Sequence, residues 1–135
     1  MWIWGSSRRG NDVMSNKWSE LEGFDFEYAM EIFQDEEILN VILHDFHDSM
    51  DELCEKLDGL FSAINEGDNL SLYRMEVHAL KSTSASVGAL QISGRARELE
   101  RVAIEREIEQ IERMHPELIA DIKAHKERLG KFLEL

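Results

Sequence analysis

Apolar residues in this chain recur at helical intervals from Phe26 to Leu133, and a single proline, Pro116, interrupts them. A period near 3.6 commits a segment to helices with one buried stripe, whereas a strand needs a period of two, which no segment here sustains. Phe26, Ala29, Met30 and Phe33 stand at i, i+3, i+4 and i+7, predicting a short first helix. Asp35 suits the cap of a longer second helix, with Glu36 and Glu37 well placed for its dipole. The stripe of that helix runs Leu39, Ile42, Leu43, Phe46, Met50, Leu53, Leu57 and Leu60. Glu66-Gly67-Asp68-Asn69 reads as a turn, with Asp68 or Asn69 capping a third helix. The fourth helix turns Ala89, Ile92, Ala96, Leu99 and Ala103 inward, and its stripe fails beyond Ala103. A fresh stripe of Ile108, Ile111, His115, Leu118, Ile119, Ile122, Leu129 and Leu133 places a break near Glu105 and a last helix after it. Pro116 either kinks that helix or marks its start, if Glu105 to His115 belongs to the helix before. Five segments with short connections predict an all-α fold, an up-down four-helix bundle with an additional short N-terminal helix.

The chain's 135 residues suffice for one core. Residues 1–20 read as an N-terminal tail and 21–135 as the bundle, because the stretch from Gly5 to Asp12 has no period and favours coil. For Trp2, Trp4 and Trp18 the sequence leaves open whether they dock on the bundle, on a neighbour, or nowhere. A net charge of −13 argues against nucleic acid and anionic membrane surfaces, which select for clustered Lys and Arg. One cysteine, Cys54, cannot form an internal disulfide, which fits a reducing cytosol. The apolar opening Met1-Trp2-Ile3-Trp4 is too short for a signal peptide, and no window reaches the ~20 apolar residues of a membrane span. The expectation is a cytoplasmic, monomeric domain.

The third helix carries the chemistry. At 100° per residue Tyr73, Val77, Leu80, Ser84 and Val87 share one face, while Ser71, Arg74, Met75, His78, Lys81, Ser82 and Ala85 share the opposite one. His78 therefore points away from its own core, and Gly88 ends the helix. A histidine is largely neutral at pH 7, with a reference pKa of about 6.5, and offers a ring nitrogen as nucleophile without a helper base. Lys81, at i+3, can reach a phosphoryl group carried on His78 and compensate its charge. The same lysine opposes protonation of the imidazole. Ser82, Ala85 and Gly88 are small enough to let a partner's backbone approach, with Arg74 and Met75 as further docking contacts.

The run His78-Ala79-Leu80-Lys81-Ser82, with Gly88 ten residues after the histidine, resembles the H-x-L-K-G core of histidine-containing phosphotransfer (HPt) domains of bacterial phosphorelays. The similarity continues through Gly88-Ala89, Leu90, Ala96 and Leu99-Glu100 and spans about Leu21 to Leu133. One departure is Ser82, where the family usually has glycine. The resemblance implies a phosphorelay intermediate with His78 as phosphoacceptor and Lys81 as phosphate partner, without kinase activity of its own. Its partners would be response-regulator receiver domains or a hybrid histidine kinase. The receiver would supply the acceptor aspartate and Mg²⁺, so no cofactor is expected on this chain. The alternative is a non-catalytic helical module that docks a receiver without exchanging phosphate. The intact His78 and Lys81 favour the carrier.

Other residues support blander readings. His44, His47, His115 and His125 suit surface or core-rim positions, and His44, His47, Asp48 and Glu52 lack the second Glu-x-x-His that a helical-bundle metal site needs. Cys54 has no basic neighbour to activate it. Arg95, Arg97, Glu98, Glu100 and Arg101 read as solvated surface with i, i+4 pairing. No glycine-rich nucleotide-binding run is present, so ATP chemistry is not expected.

Overall fold

The computed structural model describes Trp18 and residues 20–135, and these form helices and connecting turns with no strand among them. The helices are α1 (Phe26–Phe33), α2 (Glu36–Ser62), α3 (Asn69–Ser86), α4 (Leu90–Ile104) and α5 (Ile108–Phe132). Consecutive helices pack against each other from α2 to α5, and α5 returns to α2, closing an up-down four-helix bundle. The short helix α1 lies against α2 and α3.

The predicted stripes form the core. Leu39, Leu43, Met50, Leu57, Tyr73, Val77, Ile92, Leu99, Ile111, Leu118 and Ile122 are all fully buried. Local chemistry sets the helix boundaries. Asp25 caps α1 by accepting from the Tyr28 amide, and Asp35 caps α2 by accepting from Glu37 and Ile38. The cap expected for α3 is not made: Asp68 occupies the position without a side-chain bond. Asn69 instead donates from Nδ2 to the Ala63 carbonyl and ties the α2 end to the turn. The break near Glu105 falls where periodicity placed it, with Arg106 in the left-handed region and Glu107 N–H donating back to the Val102 carbonyl. Pro116 lies inside α5, which runs unbroken from Ile108, so it does not start the helix.

Trp18 sits two residues short of the expected bundle boundary yet is fully buried, with its ring 5.0 Å from Phe26 and 4.6 Å from Phe132. It is part of the core. Trp2 and Trp4 lie outside the described residues. No helix among the described residues is long and apolar enough to cross a membrane.

Candidate functional site

Helix α3 is oriented by its apolar face. Tyr73, Val77 and Leu80 are buried, and Ser84 joins them because its hydroxyl is satisfied by the Leu80 carbonyl at 2.6 Å. That anchoring turns the opposite face outward, and the His78 side chain is 59% exposed. Ser71, Met75 and Ser82 are also exposed, and Arg74, Lys81 and Ala85 are half-buried along the same edge.

Helix α4 runs beside this edge, in the most extensive helix–helix contact of the bundle. Ser93, small and buried, donates from its hydroxyl to the Lys81 carbonyl at 2.8 Å and brings the two helices close at the lysine. Seven residues on, two helical turns along the same side, comes Glu100. Its Oε2 lies 2.5 Å from Nδ1 of His78, and its Oε1 lies 2.8 Å from Nζ of Lys81. The carboxylate is thus held between the histidine and the lysine, with only 13% of its side chain exposed. The Lys81 hydrogen bond, helped by the one from His78, holds the Glu100 carboxyl below its ordinary range against the opposing effect of burial.

This geometry sets the state of the imidazole. An ionised carboxylate can only accept, so Nδ1 carries a proton and donates it to Glu100. In the neutral ring the lone pair then belongs to Nε2, which has no partner among the described residues. The result is a braced imidazole with its nucleophilic nitrogen outermost.

Glu100 was read from the sequence as plain solvated surface, and the structure corrects that. The available signal was its place four residues after Ala96 and seven after Ser93, on the flank of a buried stripe. The side chains it would meet depend on how α4 lies against α3, which neither helix's own pattern encodes. Arg95 is likewise an interhelical residue, paired with Asp121 and, at 3.8 Å, with Glu117 of α5. Arg101 does make the local pairs expected of it, with Glu98 and Glu105.

Gly88, grouped by spacing with the docking residues, is buried elsewhere. Its φ is +79°, and an added Cβ would come within 2.3 Å of the Asp25 carbonyl oxygen. The Asp25 amide donates to the Gly88 carbonyl at 2.8 Å, so this glycine ends α3 and seats the segment leading into α1. It does not open the histidine's face to a partner. His115 and His125, expected at the surface or the core rim, are both buried. His47 donates from Nδ1 to the Asp48 carboxylate, and His44 donates from Nδ1 to the Asn40 carbonyl on its own helix. Among the described residues no group of His, Cys, Asp and Glu is arranged to hold a metal ion. Cys54 is buried, and burial pushes its thiol further up, away from the reactive thiolate.

A four-helix bundle that offers one braced, outward imidazole has the build of a phosphoryl carrier. The chain belongs to the Hpt domain family, whose model matches residues 41–131, from the first turns of α2 nearly to the end of α5. The matched span contains His78, Lys81 and Glu100. Searches of curated proteins and of solved structures give no match. Membership carries the general function of the family, His-to-Asp phosphorelay, and its typical partners are receiver domains and hybrid kinases.

Proposed function

We propose that this chain is a phosphorelay intermediate in which His78 takes a phosphoryl group from a receiver-domain aspartate and passes it reversibly to another. The observation that carries this reading is the exposed imidazole held at Nδ1 by Glu100, with Nε2 left free. Nε2 attacks the phosphorus of the aspartyl phosphate. The P–N bond forms as the acyl P–O bond breaks, and the electron pair leaves with the aspartate carboxylate. The Nδ1 proton stays in place throughout, and the positive charge that develops on the phosphorylated ring lies against the Glu100 carboxylate. In the reverse step a receiver carboxylate attacks phosphorus and Nε2 leaves with the pair. Such transfer needs mainly positioning and charge compensation.

Lys81 supplies the compensation. Two unit charges about 4 Å apart attract by roughly 1 kcal/mol in bulk water and about 4 kcal/mol near a protein surface. A phosphoryl group of nearly two charges can therefore compete with Glu100 for the ammonium. Mg²⁺ belongs to the receiver in this reading. A module that only docks a receiver has no need of a braced ring with a selected tautomer, and this favours the carrier.

The test is incubation with a panel of phosphorylated receiver domains. The protein should acquire an acid-labile, base-stable label, and His78→Gln should acquire none. A label that survives in His78→Gln would overturn the assignment.

A further inference from the structure

We infer that the open end of the α3–α4 groove is a recognition cleft for the receiver: Arg74 and Arg106 grip an acidic side chain beside an apolar contact on Ile104. This inference rests on the proposed phosphotransfer at His78 and deepens it by naming what selects the partner.

A groove of about 310 Å³ opens between the start of α3 and the end of α4, lined by Leu70, Ser71, Arg74, Ala103, Ile104 and Arg106. It lies near the transfer site. Arg74 precedes His78 by four residues and Ile104 follows Glu100 by four, so one helical turn on each helix separates groove from imidazole, about 6 Å along the axis. A partner large enough to cover His78 covers this groove as well.

The floor and the walls differ in character. Ile104 on α4 and Met75, the neighbour of Arg74 on α3, are exposed large apolar side chains. Arg74 and Arg106 make no ion pair among the described residues. Lys81, Arg95, Arg101 and Lys126, by contrast, each hold a carboxylate. In a chain with 28 acidic residues against 15 Lys and Arg, two arginines left without a carboxylate in one groove are a local reversal of charge. Arg106 also occupies a left-handed position, φ +59°, which glycine adopts without steric cost and arginine does not.

Charge complementarity commits the occupant. A receiver must present carboxylates where it holds its phosphorylated aspartate and Mg²⁺, so its contact face is acidic. The net charge of −13 would repel that face at long range, but salt screens charges beyond about 8 Å. At contact the nearest groups decide, and in this groove they are guanidiniums, which suit carboxylates through their paired donors. Rim charges of this kind act mainly on association and partner choice.

The experiment uses the full chain and receivers phosphorylated with acetyl phosphate, and it reads both transfer and binding. Arg74→Glu/Arg106→Glu should raise the half-saturating receiver concentration by about tenfold or more and flatten its dependence on salt. Arg113→Glu/Lys123→Glu makes the same change in net charge at two exposed α5 cations without ion pairs among the described residues, and it should cost less than about threefold. Circular dichroism checks that both variants fold. If the control loses as much as the groove variant, net charge is responsible and the cleft is overturned; unchanged half-saturation in the groove variant overturns it too. Binding to the His78→Gln background separates the two layers. A receiver that binds it with wild-type affinity, and loses affinity with the groove reversal, upholds the cleft even if wild type accepts no phosphate and the carrier reading fails. A protein that neither binds nor accepts phosphate from any receiver sinks both.

Discussion

His78 and His115 each bond a carboxylate on another helix, and they are held in opposite ways. His78 donates from Nδ1 to Glu100 and keeps Nε2 free in solvent. His115 is only 3% exposed, and its Nε2 lies 2.7 Å from Asp58 of α2, which can only accept. Its Nδ1 therefore accepts, from the Tyr73 hydroxyl at 2.8 Å. Burial, with the Asp58 charge adding to it, pushes the Tyr73 phenol up, so that proton stays on oxygen. The ring of His115 is also stacked on Phe61 at 4.2 Å. With both nitrogens used and one face stacked on Phe61, the buried His115 ties α2, α3 and α5 together and has no free nitrogen left for chemistry. For these two rings the difference is whether the fold leaves an exposed nitrogen unbonded: His78 keeps one and His115 keeps none.

The sharpest way to break this comparison is to remove the clamp. His115→Ala deletes a buried, stacked ring and strands the Tyr73 hydroxyl, and should cost about 2–4 kcal/mol in urea unfolding. His78→Ala, at an exposed site, should stay within about 0.5 kcal/mol. Equal losses would mean that the two histidines share a structural role. Glu100→Ala removes the brace and should slow phosphoryl transfer roughly 10- to 100-fold, as loss of a histidine's orienting partner commonly does. Glu100→Gln keeps an oxygen that can accept from Nδ1 and should recover most of that rate. Both are read in single-turnover transfer, and matching rates for the two variants would show that only the charge of Glu100 matters. Lys81→Ala should cost about tenfold in transfer, near 1.4 kcal/mol, with the melting profile unchanged.

Smaller effects refine the picture. Tyr73→Phe leaves the packing and removes one buried hydrogen bond, so the protein should lose about 1 kcal/mol of stability while transfer proceeds normally. A transfer defect there would tie the clamp to the His78 face of α3. The smallest effect concerns pH. The Glu100 carboxyl lies lower in the folded protein than when unfolded. Its contribution is therefore complete above the unfolded value, near 4.3, and fades as pH falls through the folded one. Urea midpoints of wild type and Glu100→Gln should differ most at neutral pH and converge in acid. A gap that widens on acidification would reverse the sign and refute the pairing.

Much of the architecture was legible because it is written locally. The stripes of α2 and α5, the cap at Asp35, and the outward setting of His78 follow from helical period and from side chains bonding amides two or three residues away. The misreadings have one cause. Gly88 looked like part of the transfer face because spacing counts residues along α3, but its neighbour is Asp25, brought in from the start of the chain. Asp68 had the right residue type for a cap, yet Asn69 found the Ala63 carbonyl across the turn and took over the tie.

What the sequence determined by itself was the helical class, the order of the helices, and which face of α3 turns to water. These need only the 100° step of a helix and the preference of apolar groups for burial. The tertiary structure decided the state of each histidine. Glu100 and His78 are 22 positions apart and His115 and Asp58 are 57 apart, and such pairs meet only through the register and spacing of packed helices. Proton placement on a ring depends on hydrogen bonds a few ångströms long, so it is fixed only once the helices have closed on one another.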